Sequence, residues 1–241
     1  MVEVVIVTGV SKGIGLELSK QLQALGKKVI GIARTGNHDA TNFVTADLAN
    51  TNLLEDILSS IIDENSEEAT SFTLINNAGI VDPIGLVGNL HVAEVERSIA
   101  VNLTAPIVLS NTFIDKLRDV NKVKRILNIS SGAGRNPYEG WGAYCTTKAG
   151  LDHFSRVVAM EQVKEKYPVE IVSIAPGIID TGMQETIRSS DEESFPLLDQ
   201  FVTYKEQGML SSAKETAEKL MAVLERDDFK TIGPIADVRN L

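Results

Sequence analysis

The sequence predicts an α/β fold, a doubly wound parallel sheet of about seven strands with helices on both faces. Three observations predict it. Short β-branched runs alternate with longer segments of helical period, which is the pattern of parallel strands joined by crossover helices. Several of the runs are apolar on both faces, as strands covered by helices on each side must be. Between the first run and the first helical segment lies a glycine-rich turn, TGVSKGIG at 8–15, where a Rossmann-type sheet carries its nucleotide turn.

The strands are expected at 2–7 (VEVVIV), 27–33 (KKVIGIA), 42–46 (NFVTA), 71–76 (SFTLIN), 124–130 (KRILNIS) and 169–175 (VEIVSIA), with a weaker seventh at 230–233 (KTIG). Helical period fits 13–25, 51–64, 91–118, 142–166 and 211–225. The link between the second and third strands, TGNHDAT at 35–41, is too short for a full crossover helix and is expected to be abbreviated. The acidic stretch DENSEEAT at 63–70 reads as a solvated helix end entering a loop, and residues 180–210 form the longest stretch without strand character. In an open α/β sheet such a late excursion lies over the crevice at the carboxyl ends of the strands. No repeat, linker or low-complexity tract divides the chain. Residues 1–241 therefore read as one domain, with a cofactor half at about 1–120 and a catalytic and substrate half at about 121–241.

Charge narrows the function classes. A net charge of −10 argues against nucleic acid or an anionic membrane as partner, since both call for a basic face. Any anion must be gripped locally. One cysteine and three scattered histidines give neither a disulfide nor metal-ligand spacing, so no metal is expected and a reducing compartment fits. The N-terminus lacks a basic region and no apolar run is long enough to span a bilayer, so the chain reads as cytoplasmic.

Chemistry is carried by two places. In GWGAYCTTKAG, Tyr144 and Lys148 are four apart on a helical segment and so share one face. An ammonium beside a phenol favours the phenolate and lowers its pKa, which suits acid/base work. In the first turn, Gly9, Gly13 and Gly15 allow a tight bend and close approach of a pyrophosphate to a helix N-terminus. After the second strand an acid would select the ribose hydroxyl of NAD, whereas this chain has Ala33 and Arg34, with Lys12 inside the turn. Two cations beside one expected phosphate favour NADPH.

These motifs, in order along the whole chain, resemble the short-chain dehydrogenases/reductases: TGVSKGIG, NNAG at 76–79, Asn102 in VNLTAP, Tyr144-x-x-x-Lys148, and PGIIDT at 176–181. The local segments are most similar to that family's sepiapterin-reductase-like branch. The resemblance implies an NADP-dependent oxidoreductase reducing a small-molecule carbonyl substrate, an α-diketone or related aryl ketone, by hydride transfer. Its implied catalytic set is Asn102, Ser131, Tyr144 and Lys148. The family's serine stands 13 positions before its tyrosine, and 144 − 13 = 131 selects Ser131 over Ser130. Ser131 would hold the carbonyl oxygen, Tyr144 give it a proton, Lys148 tune the phenol and hold the nicotinamide ribose, and Asn102 anchor a proton-passing water.

For the cofactor, the resemblance implies Gly9, Ser11, Lys12, Gly13, Ile14, Gly15, Arg34, Asp47, Leu48, Asn77, Ala78, Gly79, Tyr144, Lys148, Pro176, Gly177, Ile179 and Thr181. For substrate, Ser131 is joined by Pro137, Trp141, Met183 and Asp237 as candidates, with core packing the alternative for Trp141 and a surface ion pair the alternative for Asp237. A homodimer or homotetramer built on the 91–118 and 142–166 helices is also implied. Two other readings remain open: another ketone substrate such as sepiapterin, a sugar or an acyl-carrier thioester, and a catalytically idle protein that senses NADPH.

Overall fold

The computed structural model describes residues 1–36 and 42–241. The abbreviated link expected at 35–41 falls mostly outside the described residues. The strands are β1 (Val2–Thr8), β2 (Lys28–Ala33), β3 (Phe43–Thr45), β4 (Ala69–Asn76), β5 (Val123–Ile129), β6 (Glu170–Ala175), β7 (Ile179–Asp180), β8 (Ser211–Ser212) and β9 (Ile235–Asp237). The helices are α1 (Gly13–Ala24), α2 (Leu54–Asn65), α3 (Val92–Ile99), α4 (Ala105–Leu117), α5 (Gly142–Gln162), α6 (Gly182–Arg188), α7 (Leu198–Glu206) and α8 (Ala213–Leu224).

Seven strands form one parallel sheet in the order β3-β2-β1-β4-β5-β6-β9. The order reverses between β1 and β4, which opens a crevice at their carboxyl ends. Successive residues of β1 point to opposite faces. Val4 and Ile6 enter a core with Phe72, Phe113, Leu109 and Leu58 beneath α2 and α4, while Val5 and Val7 enter a second core with Leu18, Leu220 and Phe229 beneath α1 and α8. This double burial explains the unbroken apolar run, each such side chain contributing roughly 1.5–3 kcal/mol. Within the first layer, Asn76 Nδ2 donates to Asn128 Oδ1 at 2.8 Å and Asn128 Nδ2 to Ser155 Oγ at 2.9 Å, tying the ends of β4 and β5 to α5.

The seventh strand is not where sequence places it. KTIG at 230–233 winds into a 3-10 turn, because Asp228 O accepts from both Thr231 N at 2.8 Å and Thr231 Oγ1 at 2.7 Å. Phe229 is fully buried under the Arg125 guanidinium, and Gly233, at φ +86°, swings the chain so that Ile235–Asp237 pairs with β6 instead. Strand β4 also begins two residues before the expected start, taking up the end of the acidic stretch, and α5 stops at Gln162 rather than 166. The expected 91–118 helix forms, with a π turn at Ala100–Thr104 joining α3 to α4. The 180–210 excursion folds into α6 and α7, and its ends are clipped together where β7 pairs with β8. Among the described residues, no helix is long and apolar enough to cross a membrane.

Candidate active site

A cleft of about 810 Å³ opens at the carboxyl ends of the central strands. Its floor at one end is the glycine turn. Gly9 and Gly13 have φ of +76° and +60°, a region that only glycine enters freely. A Cβ on Gly9 would stand 2.8 Å from Ala78 Cα, so the turn closes on the NNAG segment. Thr8 Oγ1 accepts from Asn77 N and Ala78 N, at 3.0 and 3.1 Å, while Asn77 Nδ2 donates to Thr8 O at 2.9 Å. Asn77 thus holds the two loops together as well as lining the cleft. Gly15 does not line it. A Cβ there would lie 2.3 Å from Gly9 O and 2.4 Å from Asn77 Nδ2, so this glycine serves helix packing rather than ligand approach.

Helix α1 begins after Lys12 with no side-chain cap among the described residues and no acid in its first turn. Its unpaired N–H groups and positive dipole end suit an anion. Ser11, Lys12, Gly13 and Ile14 line the cleft here, and Arg34, Asp47 and Leu48 line it beyond the ends of β2 and β3. Burial pushes the Asp47 carboxyl up, but the Ala49 N–H and the Arg97 guanidinium, 3.0 Å away, outweigh it with help from Arg34 and hold the pKa below the usual range.

At the other end the fold brings together Asn102 from the π turn, Ser131 from the turn after β5, and Tyr144 and Lys148 from α5. Lys148 is 4% exposed and donates from Nζ to Ile129 O at 2.8 Å. Its Nζ lies 5.7 Å from the Tyr144 ring centroid. Ser131 lies beside the phenol, pulling its pKa down against burial, and accepts from Ala133 N at 3.1 Å. Its neighbour Ser130 also lines the cleft, its buried hydroxyl finding no partner among the described residues. In the π turn, Asn102 clamps the backbone of Ile80, accepting from its N–H at 2.8 Å and donating to its carbonyl at 2.7 Å. Gly79 sits between: a Cβ on it would be 3.4 Å from Asn102 Oδ1 and 3.6 Å from Lys148 Nζ.

The electrostatics differ from the sequence expectation. Burial pushes the Tyr144 phenol up to about 12, opposed only in part by Ser131, and the lysine does not bring it down. Lys148 is itself desolvated, its pKa pushed down to about 8 by burial while Asp152 pulls the other way. A weakly basic amine offers its neighbour less charge than an exposed ammonium would.

The wall facing Tyr144 is aromatic. Trp141 stacks on Phe195 at 5.0 Å and 14°, and meets Tyr144 and Phe201 edge-on at 5.5 and 5.1 Å. It lines the cleft and is packed in a core cluster at once, so both readings of it describe the molecule. Met183, Pro176, Gly177, Ile179 and Thr181 also line the cleft. Pro137 does not, being exposed on the approach to α5. Nor does Asp237, whose oxygens accept from Arg239 Nε at 2.9 Å and Nη2 at 2.6 Å. Sequence reasoning missed Arg97, Tyr138, Phe201, Tyr204 and Arg239, all of which line the cleft. The one available signal was Phe201 and Tyr204, three apart on a helix and so on one face.

The short chain dehydrogenase family matches residues 3–192. The chain belongs to that family and is an oxidoreductase. It is 41% identical to the benzil reductase ((S)-benzoin forming) of Bacillus cereus, over 93% of this chain and 95% of that one. Sepiapterin reductase of Rattus norvegicus is 29% identical over 95% and 93% of the two chains. A crystal structure of a short chain dehydrogenase/reductase from Saccharomyces cerevisiae superposes with a TM-score of 0.82 at 26% identity, covering 98% of this chain and 96% of that one.

The burial of Tyr144 has a direct optical consequence. In the ligand-free protein, the difference in absorbance near 295 nm between wild type and Tyr144→Phe should show no phenolate below about pH 11. A phenolate appearing below pH 9 would contradict the environment described.

Proposed function

We propose that the protein is an NADPH-dependent carbonyl reductase that reduces an α-diketone such as benzil to the (S)-hydroxyketone. One observation carries the reading: Ser131, Tyr144, Lys148 and Asn102 converge at one end of a cleft whose other end presents an uncapped helix N-terminus and the cations Lys12 and Arg34. The similarity to a benzil reductase supports the substrate class, as does the aromatic wall of Trp141, Tyr138 and Phe201, which suits a flat aryl ketone.

The residues present fit a nicotinamide cofactor. The glycine turn and α1 would hold its pyrophosphate, Arg34 and Lys12 a 2′-phosphate, and Ile179 and Thr181 its carboxamide. When bound, NADPH supplies the hydride. The chain supplies position and a proton. Ser131 and Tyr144 donate hydrogen bonds to the carbonyl oxygen as negative charge builds on it. A phenol with its pKa near 12 is fully protonated at neutral pH, which is the state a proton donor needs. Lys148, with a pKa near 8, stands one turn away to hold a replacement proton. A water that replenishes it would sit beside that amine, where Gly79 carries no side chain toward Asn102. For sepiapterin, the alternative substrate, an acid such as Asp237 would have to anchor the amine-rich ring, and the engagement of Asp237 with Arg239 outside the cleft lining favours the diketone.

We also propose a homodimer or homotetramer built on α3, α4 and α5, where Val157, Met160 and Val163 leave apolar surface exposed. Light scattering should return two or four chain masses, and a monomer at working concentration would refute it.

Purified protein should oxidise NADPH with benzil. Tyr144→Phe should lower kcat by about 10²–10⁴-fold while calorimetry finds NADPH affinity within about threefold, and near wild-type turnover in this variant would remove the phenol from the mechanism. Arg34→Ala should raise the KM for NADPH by about tenfold or more, the loss of one charge-assisted contact to phosphate, and leave NADH little changed. Equal effects on both cofactors would argue against a 2′-phosphate site.

A further inference from the structure

Asp152 takes no part in the chemistry above, yet it is a carboxylate 1% exposed, one helical turn beyond Lys148 on α5. Its oxygens are divided between two elements. Ser173 Oγ, on β6, donates to Oδ1 at 2.7 Å, and Arg135 Nε, from the turn after β5, donates to Oδ2 at 3.2 Å. Arg135 Nη2 also donates to Ala236 O on β9 at 2.7 Å. The carboxylate therefore joins the catalytic helix to three neighbouring segments, including the one that carries Ser131. A buried carboxylate is costly even when paired, and an apolar side chain would fill the space at lower cost.

We propose that Asp152 is a positioning residue for Lys148, its charge holding the amine protonated at neutral pH, with Arg135 setting how much of that charge Lys148 feels. The inference rests on the proposed role of Lys148 as the proton reserve. The other charged groups around it are accounted for. Tyr144 on the same helix is protonated, Asp82 after β4 lines the cleft, and Asp237 and Arg239 at β9 neutralise each other. From α3, Arg97 turns to Asp47, and the π turn presents neutral Asn102. On α4, Asp115 lies at the far end, paired with Arg118, and on β6, Glu170 pairs with Arg125. Asp152 is thus the one buried carboxylate among the described residues that acts on Lys148, and its field opposes the effect of burial there.

The two partners give opposite signs. In lysine-¹³Cε-labelled protein, the Lys148 resonance, assigned by its absence from Lys148→Met, should titrate about one pH unit lower in Asp152→Asn. In Arg135→Gln, where the compensating cation is removed from a partly exposed position, it should titrate higher than in wild type. Ser173→Ala, which keeps the charge, should leave it nearly in place. The alkaline limb of kcat/KM should move in the same directions. Titrations that coincide in all four proteins would overturn the proposal, and if Asp152→Asn does not fold, an unmoved Arg135→Gln titration does so alone. Resonances that move as expected in a protein with no turnover would sink the reductase reading and leave this inference standing.

Discussion

The site depends on one hydrogen bond, from the buried Lys148 amine to the carbonyl of Ile129. An amine removed from water must find a partner, and the carboxyl end of β5 presents one because the sheet stops there. That bond, with those from Ser173 to Asp152 and from Asn128 to Ser155, seats α5 against the sheet. Tyr144, one turn earlier, is then carried to the cleft edge beside Ser131, and Asp152, one turn later, is carried into the layer between α5, β6 and β9. Gly79 passes close to the same amine, where a Cβ would make only ordinary contact with Lys148 Nζ and Asn102 Oδ1. Asn102 reaches the site from a different helix, and the π turn around it aims its amide at Ile80.

Burial dominates the electrostatics at this end of the cleft. It raises the phenol and lowers the amine, so at neutral pH both groups are poised to give protons rather than to take them. The opposite end is governed by charge. In a chain carrying ten more acidic than basic side chains, Lys12, Arg34 and the open N-terminus of α1 make a local positive region, and against burial the Ala49 N–H and then Arg97 hold the Asp47 pKa low within it. The protein can therefore be strongly acidic overall and still grip an anionic cofactor, because screening confines each field to its own neighbourhood.

Much of this was legible in the sequence for identifiable reasons. The run Val4–Val7 in β1 is unbroken because both faces are covered, and the glycine turn follows it because glycine takes the φ values at positions 9 and 13 most freely. Tyr144 and Lys148 were legible because a helix fixes their alignment locally. What was not legible arises from contacts distant in sequence. The last strand was misplaced by four to five residues, since a strand-like KTIG is captured by the acceptors of Asp228 and the burial of Phe229. Gly15 reads as a ligand glycine until the carbonyl of Gly9 and the amide of Asn77 are seen against it. Pro137 and Asp237 lie near the site in sequence or in fold, but the turn before α5 faces Pro137 outward and Arg239 holds Asp237 aside. The aromatic wall joins Trp141 to Phe195 and Phe201, more than fifty positions away, and no periodicity announces such a contact. The phenol's raised pKa depends on how deeply the completed fold buries it, which a Tyr-Lys spacing does not reveal.

The central claim is that the glycine-turn cleft and the Tyr144–Lys148 helix face are one reaction site. Its most direct test is isotope transfer from NADPH deuterated at C4 of the nicotinamide, on one face or the other, with mass spectrometry of the alcohol formed from benzil. The account predicts that one labelled face delivers its deuterium fully to the carbinol carbon and the other delivers none. Product that carries no label from either face, or label from both, would contradict it.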